Sequence, residues 1–95
     1  MFIIELTYKK ELSEVEKFLE DHKKFLDKNY EKKNFLCSGR KEPRTGGVIL
    51  SNLLTRKEVE YIIQKDPFFI NDIAKYNIIE FYPSKYLEEF SNCMK

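Results

Sequence analysis

The chain has 95 residues, of which 42% are hydrophobic and 35% charged, and its 17 basic and 16 acidic side chains leave a formal charge of +1. This composition is typical of one small globular domain over residues 1–95 and excludes a disordered chain. The near-zero charge gives no support for general nucleic-acid or anionic-membrane binding. The apolar run Phe2 to Ile4 is interrupted by Glu5 and is too short for a signal peptide or a membrane span, so we expect a cytoplasmic protein.

The first part of the chain predicts a strand, a long helix and a second strand. Residues 2–8 are rich in β-forming side chains and partly alternate between two faces. Ser13 and Glu16 match a capping box, in which a hydroxyl and a carboxylate three residues apart bond the first free amides of a helix. The helix is predicted to run to about Lys32, and residues 34–38 form the second strand.

The middle of the chain predicts a hairpin that leads into a second helix. Glycine and proline mark residues 39–47 as a loop, and residues 48–52 are apolar enough to form the third strand. Thr55 and Glu58 make a second capping box at the start of the next helix.

The last part of the chain predicts the end of that helix and a fourth strand. Pro67 disfavours helical geometry in the preceding residue, so the helix should end near Asp66. One further turn over residues 68–72 precedes a strand over residues 75–82, and residues 86–90 predict a short C-terminal helix.

The order β-α-β-β-α-β predicts an α+β fold of the ferredoxin-like type, a four-stranded antiparallel sheet with two helices on one face and an extra short C-terminal helix. Both sheet faces carry apolar residues. We expect one face to hold Phe2, Ile4, Leu6, Val48, Leu50 and Ile78, and the other to hold Ile3, Ile49, Ile79 and Phe81. Because an uncovered apolar face usually marks an interface, we expect a homodimer that packs sheet against sheet.

The single histidine is predicted to face the core. His22 lies four residues after Phe18 and three before Phe25, on the apolar stripe of the first helix. Asp66 continues the apolar side of the second helix, and both polar groups therefore need partners. A bond between them would fix the imidazole tautomer and leave the other ring nitrogen free to move a proton. The alternative is a structurally satisfied histidine and an aspartate that only ends its helix.

Three features in this order resemble the YCII-related family of small dimeric α/β-barrel proteins: His22 inside the first helix, Ser38-Gly39 at the end of strand two, and Asp66-Pro67-Phe68 closing the second helix. The resemblance covers about residues 2–82. It implies that the histidine and the aspartate are a candidate catalytic pair. Some members of the family are described as dehydrochlorinases of chlorinated hydroxyquinols, and the fold resembles that of lactone isomerases.

Arg40 departs from this resemblance, since family members commonly have proline after the strand-two glycine; the C-terminal helix is a second departure. The guanidinium of Arg40 could bind a substrate carboxylate or phosphate beside Ser38 and Gly39. The same stretch also fits a solvated hairpin, and it does not match a phosphate-binding P-loop. The candidate substrate-binding residues are therefore Arg40, Ser38 and Gly39.

The leading hypothesis is a cofactor-independent acid-base enzyme of lyase, isomerase or dehydrochlorinase type. In it, His22 transfers a proton on a small ring-bearing or carbonyl-bearing substrate, and Asp66 orients the imidazole and stabilises its charged form. The alternative is a non-catalytic ligand-binding or dimeric assembly module with a structural His-Asp pair. An RNA-binding domain would need a basic-glycine-aromatic string, which the chain lacks. The expected partners are a second copy of the chain and a small-molecule ligand.

Neither a metal nor an organic cofactor is expected, because one histidine without a nearby ligand cluster makes a poor zinc or iron site. Cys37 and Cys93 have neither metal-ligand spacing nor the density of a disulfide scaffold, so we expect two reduced thiols. Cys37 could be a nucleophile, but its place in a strand favours a small buried side chain.

Overall fold

A computed structural model describes residues 1–94. Four strands in this range form a single antiparallel sheet in the order β2-β3-β1-β4. The strands are β1 (Phe2–Tyr8), β2 (Phe35–Arg40), β3 (Gly46–Ser51) and β4 (Ala74–Glu80). The helices are α1 (Leu12–Lys17), α2 (Leu19–Glu31), α3 (Arg56–Ile63) and α4 (Pro67–Ile70). Buried side chains from all four helices join those of the sheet in one core, which confirms the α+β, ferredoxin-like prediction.

The first predicted helix is wrong in two respects. It is divided at Phe18, whose φ of −110° and ψ of 3° leave helical geometry between α1 and α2. The capping box at Ser13 is also absent, because the carbonyl of Glu11 already accepts from the amides of Glu14 and Val15 and Ser13 therefore lies inside the first turn. The second capping box, at Thr55, is confirmed.

The remaining boundaries differ less from the prediction. Pro67 begins α4 instead of merely ending the preceding helix, since proline is well tolerated in a first turn. The predicted C-terminal helix is a 3-10 helix over Glu88–Cys93, and Asn52 Nδ2 donates to the Cys93 carbonyl oxygen at 2.8 Å. None of the helices formed by residues 1–94 is long and apolar enough to cross a membrane.

Strand pairing corrects the predicted sheet faces. Ile4 pairs with Ile49 on the face that the helices cover, whereas Ile3 pairs with Leu50 on the open face. The prediction placed Ile49 on the open face, and Val48 and Leu50 on the covered one, which is wrong. The reason is that a one-residue difference in register exchanges the two faces of a strand, and only pairing with β1 sets that register.

The register of β2 shifts between Phe35 and Cys37. In the second half of the strand, this shift exchanges the sheet faces to which the side chains point. Phe35 is buried in the core, so regular alternation would also turn Cys37 inward. After the shift, Cys37 pairs with Leu50 of the open face and is exposed, while Ser38 pairs with Ile49 of the covered face. The prediction of a buried Cys37 is therefore wrong, and Ser38 and Arg40 face the helix side.

Gly46 of β3 lies close to the backbone of Leu6 in β1. A Cβ atom there would lie 1.8 Å from the Leu6 carbonyl oxygen, whereas a Cβ at Gly39 would meet nothing within 4 Å. We expect Gly46→Ala to lower the free energy of unfolding by about 3 kcal/mol through overpacking, and Gly39→Ala to change it little. Urea denaturation measures both. Equal stability of the two variants would contradict this close contact between the strands.

Candidate functional site

His22 and Asp66 meet between α2 and the start of α4. His22 lies on the buried side of α2 with Phe25 and Asn29, and its Nδ1 is 2.8 Å from Asp66 Oδ1. The side chain of Asp66 is fully buried and that of His22 is 11% exposed. The two residues are 44 positions apart, so only the packing of the helices brings them together.

Asp66 is held by two further donors. As the residue that caps α4, it accepts from the Phe68 amide through Oδ1 at 3.0 Å. Its Oδ2 accepts from the Tyr76 hydroxyl of β4 at 2.5 Å. Both carboxylate oxygens are therefore occupied, and Asp66 serves as an acceptor from three directions. Nδ1 of His22 must then carry the proton in this hydrogen bond.

The imidazole stacks on a phenylalanine ring, which fixes its plane. The Phe68 ring stacks on it with centroids 4.1 Å apart and planes 4° apart, and the Phe25 centroid is 6.1 Å away. Within residues 1–94, Nε2 has no hydrogen-bond partner. In the same residues, Asn52 Oδ1 is the one buried side-chain nitrogen or oxygen atom without a partner, so Nε2 is accessible to solvent. In the neutral imidazole, Nε2 therefore has a lone pair that solvent or a ligand can reach.

A cavity of about 170 Å³ adjoins His22. All three predicted substrate-binding residues, Ser38, Gly39 and Arg40, line it together with His22, whereas Asp66 lies behind the ring and does not. The Ser38 hydroxyl is 2.5 Å from that of Tyr30, and Arg40 forms no ion pair with any of residues 1–94. The cavity thus combines a proton-accepting ring, a hydroxyl and an unpaired guanidinium.

The sequence matches a known family over most of its length. The family described as the YCII-related domain matches residues 1–82. The chain belongs to the YCII-related family. The match covers all four strands and both members of the His-Asp pair, and it confirms the resemblance drawn from the sequence. No curated protein matches the chain.

The YCII-related chain has two site residues that the sequence did not reveal, Tyr76 and Tyr30. Tyr76 is in the predicted fourth strand, two residues from Ile78, and a tyrosine on a core-facing strand position needs a partner for its hydroxyl. That requirement was the available signal, but the partner depends on the fold.

In residues 1–94, no group of three or more histidine, cysteine, aspartate or glutamate side chains is arranged to hold a metal ion.

Tyr76 is expected to resist ionisation in the folded YCII-related protein. Burial, followed by the negative charge of Asp66 and the hydrogen bond to it, raises the pKa of Tyr76 well above its ordinary value of 10.0. The contribution of this group to stability is therefore fully present below pH 10.0 and is lost as the pH rises further.

A pH titration followed by the ultraviolet absorbance of tyrosine phenolate tests this pKa. We expect the wild type and Tyr76→Phe to show the same rise in phenolate absorbance until the protein unfolds, although the wild type has one more tyrosine. A wild-type rise that exceeds that of Tyr76→Phe by one tyrosine below the unfolding transition would contradict the prediction.

Proposed function

We propose that this YCII-related protein is a small acid-base enzyme in which His22 Nε2 accepts and returns a proton on a small organic substrate. The observation that carries the proposal is the 2.8 Å bond from Nδ1 to a fully buried Asp66, with Nε2 left without a protein partner beside a cavity. A positioned general base of this kind contributes about 10²-fold to 10⁴-fold in rate.

The geometry supports a division of roles among the residues. When Nε2 takes a proton, the ring becomes positively charged, and the adjacent Asp66 carboxylate stabilises that charge. Tyr76 and the Phe68 amide hold the carboxylate in place by occupying its other lone pairs. Phe68 holds the ring plane by stacking. In an isomerase the proton then returns to another atom of the substrate. In a lyase or dehydrochlorinase the electrons of the broken C–H bond form a double bond, the leaving group departs with its bonding electrons, and His22 releases the proton to that group or to water.

The cavity supports a small substrate with a negatively charged group and an apolar, ring-bearing or carbonyl-bearing body. Its volume is below the range of about 300 to 1,000 Å³ that is usual for larger ligands. Leu19, Leu26 and Ile49 line it with apolar surface, and Arg40 supplies a planar guanidinium suited to a carboxylate.

NMR of the imidazole nitrogens tests the proposal, because His22 is the only histidine. We expect the Nδ1-protonated tautomer in the wild type, and a change in the Nε2 resonance when small aromatic and keto carboxylic acids are added from a panel. Arg40→Gln should weaken this binding, whereas Arg44→Gln, which removes an arginine outside the cavity, should not. An Nε2 resonance that no compound perturbs would leave His22 as a structural residue.

The complete burial of Asp66 favours a second candidate, a non-catalytic module in which the pair ties α2 to α4. This module would bind a ligand or assemble without moving a proton. It predicts that ligands from the panel bind and are recovered unchanged. Detection of a transformed compound by NMR would exclude it.

We also propose that two subunits pair through the open sheet face. Ile3 and Leu50 are half-buried there, and Val48 and Ile79 are 37% and 46% exposed. We expect light scattering to give twice the mass of one chain, and Leu50→Lys to give a monomer because it places a charge in the apolar face. Leu54→Lys, at a 66% exposed residue outside the sheet, is the control. A monomeric wild type would overturn the proposal.

A further inference from the structure

A second, larger concavity lies between α2 and α3. This groove has a volume of about 640 Å³ and shares no lining residue with the cavity beside His22. Its size falls within the range of about 300 to 1,000 Å³ typical of sites for organic ligands. The proposed acid-base chemistry makes no use of it.

Four lysines line the groove. Lys24, Lys28 and Lys32 follow one another at four-residue steps on and just after α2, so their row spans about 12 Å, and Lys65 approaches from the end of α3. Within residues 1–94 none of the four forms an ion pair, although four other lysines, Lys9, Lys17, Lys23 and Lys41, do. Like charges one helical turn apart repel each other, so the row of lysines lowers the stability of the unliganded protein.

The acidic residues of the groove do not balance these lysines. They are Asp21 and Glu58. The Glu58 carboxylate is held in the capping box, where its Oε1 accepts from the amide and the hydroxyl of Thr55. Lys65 Nζ is 4.3 Å from the centroid of the Tyr61 ring, which holds a positive charge at the wall of the groove. The groove therefore has an excess of positive charge in a nearly neutral chain.

The floor of the groove is apolar. Phe25 and Leu53 are buried core residues that reach its surface, and Ile62 and Pro67 extend this surface. The cations are all lysines, which bind phosphate as point charges, and no arginine offers the planar fork that suits a single carboxylate. A row of three spaced charges above an apolar floor matches a ligand with several negative charges and a ring-bearing body.

We propose that this groove binds a phosphorylated organic molecule of nucleotide size. The phosphates lie along Lys24, Lys28 and Lys32, and the body of the ligand rests on Phe25, Leu53 and Ile62. The proposal is independent of the chemistry at His22, because the two concavities share no residue.

Calorimetric titration of the full chain with ATP and with inorganic triphosphate tests the proposal. We expect saturable binding of one ATP per chain, weakened at least about tenfold in Lys28→Gln/Lys32→Gln, because this variant removes two charge-assisted contacts to phosphate. The matched control is Lys57→Gln/Lys85→Gln, which removes the same charge from exposed positions outside the groove. Thermal unfolding establishes that both variants are folded.

Each result decides the proposal. Inorganic triphosphate should bind more weakly than ATP, because it has no body to rest on the floor, and equal affinities would overturn the role of the floor. Equal losses in the two double variants would show nonspecific attraction and overturn the site. Absence of ATP binding would also overturn it, as would saturable binding of a single-stranded oligonucleotide in the groove without binding of ATP.

Discussion

Asp66→Ala is expected to lower the free energy of unfolding by about 3 to 5 kcal/mol, the largest stability effect that we predict for a single polar residue. The carboxylate is fully buried and accepts from the His22 ring, the Phe68 amide and the Tyr76 hydroxyl. Alanine would leave these three donors without an acceptor, and each unsatisfied buried donor costs about 1 to 3 kcal/mol. Partial rehydration of the donors keeps the total below the sum. Urea denaturation measures the loss.

Two variants make this result specific to the position of Asp66. Asp66→Asn keeps a carbonyl oxygen for His22 and Phe68 and should lose less stability than Asp66→Ala. Asp72→Ala removes an exposed carboxylate whose ion pair among residues 1–94 is with Lys9, and it should change stability little. If Asp66→Ala were no worse than Asp72→Ala, the network around the carboxylate would be absent in solution.

His22→Gln is expected to reduce turnover by about 10²-fold to 10⁴-fold while the protein remains folded. The glutamine amide can donate a hydrogen bond to Asp66, but it cannot accept and release a proton as an imidazole does. The stacking contact with Phe68 is lost in part, so a small fall in melting temperature accompanies the loss of turnover. The assay follows conversion of whichever carboxylic acid perturbs the Nε2 resonance.

Asn29→Ala provides the matched structural variant on the same helix face. Asn29 is buried, donates to the Phe25 carbonyl and accepts from Asn34, so its loss should lower stability without changing turnover of the folded protein. If His22→Gln behaved like Asn29→Ala, less stable but equally active, this would contradict the proposed catalytic role of His22. The His22–Asp66 pair would then have a structural role only.

His22 and Asp66, the two residues of the proposed chemistry, could be predicted from the sequence because each follows a local sequence pattern. His22 keeps helical spacing with Phe18 and Phe25, and Asp66 precedes a proline at the end of an apolar helix face. Helical periodicity indicates which residues face inward within one element. It also led to one error, since a continuous pattern from residue 13 to residue 32 conceals the break at Phe18.

The parts of the site that the sequence missed depend on distant partners. The irregularity in β2 that exposes Cys37 and turns Ser38 toward the helix side becomes visible only when β2 pairs with β3. The Tyr76 hydroxyl reaches Asp66 only because β4 pairs with β1 and α4 packs nearby. No spacing within an element predicts either contact.

The sequence by itself determined the α+β order of elements, the family and the inward direction of His22, because spacing and capping act over a few neighbouring residues. The tertiary structure decided which polar groups meet. It joined His22 to Asp66 across 44 residues, added Tyr76 as a third partner and placed Arg40 at the cavity that His22 lines. The physical reason is that a buried donor or acceptor must find a partner, and only the packed arrangement of sheet and helices determines which one lies within hydrogen-bond distance.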